Sequence, residues 1–218
     1  MQVDSETAGK MTENTAVRRQ PTQARARARV EKILTAATEL IERTGSDQLR
    51  MSEIAARAGV PIGSLYQYFP DKASIVRTLA ERIMLRVREG LRESLADVES
   101  VEDALGRLDN LLEGYYAMFL MEPVTRDIWS GTQSDKDIQD MDIEDSRENA
   151  RIVAGALKPF VPKKEHARLD TVCFLLMQLT GAAVRLAIAV DRKEGDRLVA
   201  EYGRMLRLEY EAFLPDGI

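Results

Sequence analysis

The sequence predicts an all-α chain, with a small N-terminal three-helix unit of helix-turn-helix type and a larger helical body. Three observations carry this prediction. Apolar residues recur at helical spacing along most of the chain, and no run alternates with period two for long. Glycines and prolines punctuate the periodic segments, as at Gly45, Gly59, Pro70, Pro123, Pro159, Pro162 and Pro215. Charge is divided: residues 18–88 carry 14 Lys and Arg against 7 Asp and Glu, whereas residues 89–218 carry 16 against 26. A basic third on an acidic body suits a molecule with one end that meets a polyanion and another that does not.

Residues 1–20 are polar and aperiodic, with Pro21 just after, and are expected to form a disordered arm. The next unit is expected over 21–70. Val30, Ile33, Leu34, Ala37, Leu40 and Ile41 make the inner face of a first helix, which Thr44-Gly45 ends. A second short helix over 51–58 turns Ile54, Ala55 and Ala58 inward, and Gly59 stops it. A third is expected over 61–69, with Pro61 at its first position and Pro70 blocking its continuation. Helix, glycine-containing turn and helix form a helix-turn-helix pattern.

The body is expected over 71–218. Asp71 caps a connecting helix within 71–97, with Ile75, Val76, Leu79, Ile83, Val87, Leu91 and Leu95 as its apolar positions. Further helices are expected over 101–121, 123–130, 134–160, 164–190 and 196–214. The run TVCFLLMQLTGAAVRLAIAV, residues 171–190, is long enough for a membrane span, but Gln178 and Arg185 interrupt it. It reads as a helix covered on nearly all sides, in a core or an interface, with no membrane as partner. Cys173 is the only cysteine, so no internal disulfide forms, as suits a reducing cytoplasm.

Composition argues against several chemistries. No Ser/His/Asp triad of the usual type is recognisable, the single histidine, His166, argues against a His-rich metal site, and no Gly-rich phosphate loop is evident. The run SDKDIQDMDIEDSRE lacks the spacing and glycine of a calcium loop, and reads as a solvated helix face. No enzyme activity, metal or cofactor is expected.

A helix starting at residue 61 that enters a DNA major groove by its N-terminal end would turn its first residues to base edges and its flanks to phosphates. Gly63 permits close backbone approach, and Ile62 offers an apolar surface to a thymine methyl. Gln67 matches adenine N6 and N7. Ser64, Tyr66 and Tyr68 carry hydroxyls for phosphate oxygens. Lys72 adds a charge at the next helix start. Leu65 and Phe69 belong to the core, and packing with wet hydroxyls stays open for both tyrosines. Upstream, Arg18, Arg19, Arg25, Arg27 and Arg29 form a basic arm that either reaches a minor groove or is a solvated helix end.

The segment MSEIAARAGVPIGSLYQYFPDKASIVRTL resembles the DNA-binding domain of TetR-like transcriptional repressors over residues 30–79. The resemblance implies a homodimeric repressor on double-stranded DNA with a palindromic operator, and a small-molecule effector bound in the helical body. It implies DNA contacts by Ile62, Gly63, Ser64, Tyr66, Gln67, Tyr68 and Lys72, and by the start of the second helix, from Arg50 to Ser52. Arg50 stands where relatives often carry a phosphate-binding threonine, and Pro61 where a serine-type cap is common.

A symmetric dimer needs a self-complementary surface. The helix over 171–190, with Gly181, Ala182, Ala183 and Ala187, and the stripe Leu198, Val199, Tyr202, Met205, Leu206, Tyr210 and Phe213 are the candidates. Aromatic and methionine side chains in the middle helices suit an apolar ligand site, for which Tyr116, Phe119, Trp129, Met177 and Gln178 are the candidate residues. The alternative function is a DNA-binding regulator without a small-molecule effector, controlled by a protein partner or by abundance. A filled core around Phe119 and Trp129 would favour it.

Overall fold

The computed structural model describes residues 10–131 and 135–213, and the side chains of 23–130 and 135–213 among them. The described residues form helices and short turns, without strands. They divide into two compact units, one up to Ile75 and one from Val76.

The first unit holds α1 (Lys10–Thr44), α2 (Met51–Ala58), α3 (Ile62–Tyr68) and the first turn of α4 (Lys72–Ser94). The reading of 1–20 as a disordered arm needs correction from Lys10 on, where α1 already runs; residues 1–9 lie outside the described residues. Residues 18–29 hold five Arg, three Ala and two Gln, which extend an established helix at little cost. Ile33, Leu34, Ala37 and Ile41 of α1 pack in a core with Leu49, Ile54 and Leu65, all buried. Gly45 (φ 81°) and Gly59 (φ 66°) adopt the left-handed conformation that ends α1 and α2. Pro61 is the N-cap of α3 rather than its first residue, with its carbonyl accepting from Ser64 and Leu65 N–H at 2.9 and 3.1 Å. Asp71 caps α4 as expected: its Oδ1 accepts from Ser74 N–H at 2.7 Å.

The second unit holds the rest of α4, then α5 (Val101–Met121), α6 (Pro123–Gly131), α7 (Lys136–Leu157), α8 (His166–Ala189) and α9 (Arg192–Glu211). Short 3-10 turns at Lys158–Phe160 and Lys163–Glu165 replace the helix ends expected there, where Pro159 and Pro162 interrupt the backbone pattern. α8 packs between α7 and α9, and α5 packs against α6, α8 and α9. His166, at the start of α8, is half-buried, with Nε2 3.0 Å from the Val161 carbonyl.

α9 starts four residues before its expected beginning at 196. Asp191 caps it, with its side chain accepting from Lys193 and Glu194 N–H at 3.1 Å each. Gly195 therefore lies inside the helix, where a glycine usually argues against one. A Cβ there would stand 2.3 Å from the Ala187 carbonyl oxygen and 2.7 Å from the Tyr116 hydroxyl. The missing side chain is what lets α9 approach the end of α8.

Candidate nucleic-acid interface and effector cavity

α3 is short, and its core side is fixed by Leu65 and by Phe69 just past its end, at 0% and 6% exposure. The other side is open. Ile62, Gly63, Tyr66 and Gln67 are exposed, and Ser64 and Tyr68 are half-buried. Arg50 and Ser52 are exposed at the start of α2, and Lys72 is exposed at the start of α4. Three of these groups have partners inside the unit, Arg50 through its Nη1, 3.9 Å from Glu53 Oε1. Arg29 Nη1 donates to Ser64 Oγ at 3.3 Å, which brings an arginine of α1 beside the N-terminal turn of α3. Lys72 Nζ donates to the Asp47 carbonyl at 2.8 Å, so one of its three donors holds the α1–α2 connection and two remain. Arg25 and Arg27 are exposed on α1; the side chains of Arg18 and Arg19 lie outside those described.

The second unit contains a cavity of about 300 Å³ walled by α4, α5, α6, α7, α8 and α9. Its lining is mostly apolar: Met84, Leu91, Leu111, Met118, Trp129 and Met177 are among the residues that form it. Of the five expected ligand residues, Trp129, Met177 and Gln178 lie on this wall. Tyr116 and Phe119 do not. Phe119 is a core residue at 1% exposure, with its ring edge-on to Tyr115 and Trp129. Tyr116 faces away, toward a groove with Arg192 and Asp196, whereas its neighbour Tyr115 faces the cavity. One residue is a 100° turn on a helix, and both tyrosines stood within the same aromatic cluster of the sequence.

The acidic run of α7 also needs correction. Asp145, Ser146 and Asn149 are buried, and Asp142 is half-buried, because the i, i+3, i+4, i+7 face of α7 turns inward. Asp145 forms an ion pair with Arg88 of α4 and accepts from Asn149 Nδ2 at 2.8 Å. Gln178 Nε2 donates to the Asp142 carbonyl at 3.2 Å. Burial pushes the Asp142 and Asp145 carboxyls above the ordinary aspartate range, against the pull of Arg185 on the first and Arg88 on the second. The sequence signal for this inner face was available: Asp142, Asp145 and Asn149 share a helical stripe with the apolar Ile138 and Val153.

α8 and α9 leave an apolar surface uncovered. Leu175, Leu179 and Leu186 of α8 are 55%, 43% and 53% exposed, and Met205 and Leu208 of α9 are exposed as well. The stretch Lys163–Ala189 is long and apolar enough by length and composition to cross a membrane. Of the α9 stripe, Val199, Tyr202, Leu206, Tyr210 and Phe213 face the core instead.

An N-terminal helix-turn-helix unit with its recognition helix exposed, followed by a helical body with an apolar cavity, defines the class of DNA-binding transcription regulators. Comparison with known proteins makes the class specific. Residues 33–79 match the family model of bacterial regulatory proteins of the tetR family, and residues 102–213 match the tetracyclin repressor-like C-terminal domain. The chain belongs to the TetR family of transcriptional regulators. The HTH-type transcriptional regulator YvdT of Bacillus subtilis is 34% identical over 65 residues, which are 30% of this chain and 34% of YvdT. The chain spans about a third of the length of the curated relatives it matches. Among solved structures, a TetR-family regulator from Pectobacterium atrosepticum aligns with a TM-score of 0.67 at 18% identity, covering 89% of this chain and 98% of that one. The FadR repressor of Thermus thermophilus, in complex with lauroyl-CoA, aligns with a TM-score of 0.62 at 20% identity, covering 87% and 97%.

Proposed function

We propose that this chain is a homodimeric transcriptional repressor that leaves a palindromic operator when a small, largely apolar molecule occupies the cavity of its second unit. The observation that carries the reading is the exposed side of α3: Ile62, Gly63, Tyr66 and Gln67 are free to meet base edges and backbone while Leu65 anchors the helix. Ser64, Tyr68, Lys72, Arg50 and Ser52 flank them as phosphate contacts. Arg29 joins this set through its position beside Ser64.

Dimerisation is supported by the uncovered apolar face of α8 and α9. Leucines exposed this far on neighbouring helices mark an interaction surface, and a second copy of the same face is the self-complementary partner that a palindrome calls for. In such a dimer the two recognition helices stand about 34–36 Å apart, one turn of DNA. The cavity supports an effector, with Trp129, Met177 and Gln178 on its wall. The lauroyl-CoA complex of the structurally similar FadR is consistent with a ligand among these helices. A ligand that binds better to an arrangement with the recognition helices displaced shifts the population away from the DNA-bound form. α4 runs unbroken from Lys72 to the cavity-lining Leu91 and is the element through which the shift would pass.

The test is binding to a labelled fragment from upstream of the protein's own gene, titrated with salt against a scrambled fragment, with light scattering on the same sample. Specific binding by a dimer supports the reading. A monomer that binds both fragments equally contradicts it.

A further inference from the structure

The cavity has a polar corner that an apolar ligand alone leaves unexplained. It is built by α7, where Asp142, Asp145, Ser146 and Asn149 stand on the wall. Asn149 is 7% exposed, and its amide orientation is fixed by chemistry. The Asp145 carboxylate only accepts, so the Asn149 nitrogen must face it, at 2.8 Å from Oδ2. The Asn149 carbonyl oxygen is left buried with no hydrogen-bond partner. A native interior rarely leaves such an acceptor unmet, and the group it lacks is a donor.

The charges of the wall point the same way. The lining residues include two carboxylates, Asp142 and Asp145, and one guanidinium, Arg86. Arg86 is already engaged by Glu122 at 2.5 Å and lies 3.2 Å from Met118 sulfur. Arg88, the partner of Asp145, and Arg185, whose charge acts on Asp142, are not part of the wall. Burial raises both carboxyls, and the two arginines pull in the opposite direction without reversing it.

Resting on the reading of this cavity as an effector site, we propose that its ligand is an organic cation: an apolar body with an N–H-bearing ammonium or amidinium head seated against Asn149, Asp142 and Asp145. Such a head donates to the unmet Asn149 oxygen and compensates the two carboxylates at once. A neutral alcohol does only the first. A carboxylate does neither and meets repulsion from both aspartates. A quaternary ammonium brings charge without a donor. The head also shares Asp145 with Arg88, so occupancy weakens the ion pair that joins α4 to α7.

Trp129 is the only tryptophan and stands on the cavity wall, so its emission reports occupancy. The purified full chain is titrated at pH 7 with four probes of equal chain length: decylammonium, decyltrimethylammonium, decanol and decanoate. Decylammonium is expected to bind about tenfold or more tighter than decanol, the scale of one charge-assisted hydrogen bond. Decyltrimethylammonium is expected to bind more weakly than decylammonium, and decanoate weakest of the four. Asp142→Asn should lower decylammonium affinity about tenfold and leave decanol within about twofold, whereas Asn149→Leu, which removes the acceptor that both heads use, should weaken both. Asp142→Asn keeps the Asp145–Asn149 pair, so it remains informative if Asn149→Leu unfolds. Decanol or decanoate binding as tightly as decylammonium overturns the cation assignment and leaves the cavity as an effector site. Trp129 emission unmoved by all four probes overturns the assignment and also removes the cavity's support for an effector.

Discussion

α3 and α7 use their polar residues in opposite directions. On α3 the buried position is Leu65, and the residues around it with chemistry to offer face outward; Tyr66 is 51% exposed. On α7 the groups with chemistry face inward, where Asp145, Ser146 and Asn149 are at most 8% exposed. The difference teaches how each kind of site is recognised. An outward site is what remains when the core residues of a helix are set aside. An inward site is superimposed on the core stripe, and polar residues there look like a solvated face until the packing is known.

The largest test of the comparison sits within α3 itself. Leu65→Ala should destabilise the first unit by about 2–5 kcal/mol, the usual range for emptying a fully buried leucine site. Ile62→Ala, at a position 43% exposed, should change stability by at most about 0.5 kcal/mol. Urea unfolding of both variants measures the contrast. Equal losses would break the division of α3 into an anchoring residue and a reading face.

In the second unit the corresponding test is Gly195→Ala. The new Cβ would lie 2.3 Å from a backbone oxygen, so α9 must shift rather than a side chain rotate. A cost of about 1–3 kcal/mol is expected, seen as a lowered thermal midpoint. A variant as stable as the parent would mean that α8 and α9 approach less closely than described.

These two positions also show what the sequence discloses. Leu65 was legible because its unit is small and its neighbours are stopped by Gly59 and Pro70, which leaves few ways to bury an apolar stripe. The bounds of α5 and the Asp71 cap were legible for the same local reasons. Gly195 was not, because propensity sees a helix-weakening residue and cannot see the Ala187 carbonyl that requires it. Of the neighbouring Tyr115 and Tyr116, composition marked an aromatic cluster, but only packing decides which ring reaches the cavity. The acids of α7 read as a solvated face because their charge masks the helical register they share with Ile138 and Val153.

A smaller effect sharpens the outward site. Tyr66→Phe should weaken operator binding by about 0.5–1.5 kcal/mol if its hydroxyl meets a phosphate, with the fold unchanged. Lys72→Ala should weaken binding and lower the salt dependence by about one unit of slope. Because Lys72 also donates to the Asp47 carbonyl, the two roles separate in one experiment. Loss of stability with an unchanged salt slope would assign Lys72 to the α1–α2 connection and remove it from the phosphate contacts.

The subtlest prediction concerns pH and the inward site. The Asp142 carboxyl is raised by burial above its ordinary 3.8, and the opposing attraction of Arg185 is the lesser influence. Below 3.8 the folded and unfolded chains both hold the proton, and the group is neutral in its effect. As pH rises through the raised folded value, the unfolded chain gives up the proton more readily, and stability is lost. Asp142→Asn has no proton to lose, so in the ligand-free protein it should be more stable than the parent at pH 7, with the gain vanishing near pH 3. Urea unfolding at the two pH values measures it. A variant less stable than the parent at pH 7 would mean that Arg185 more than compensates the carboxylate. The inner face of α7 would then already be electrostatically complete, with no need of a cation.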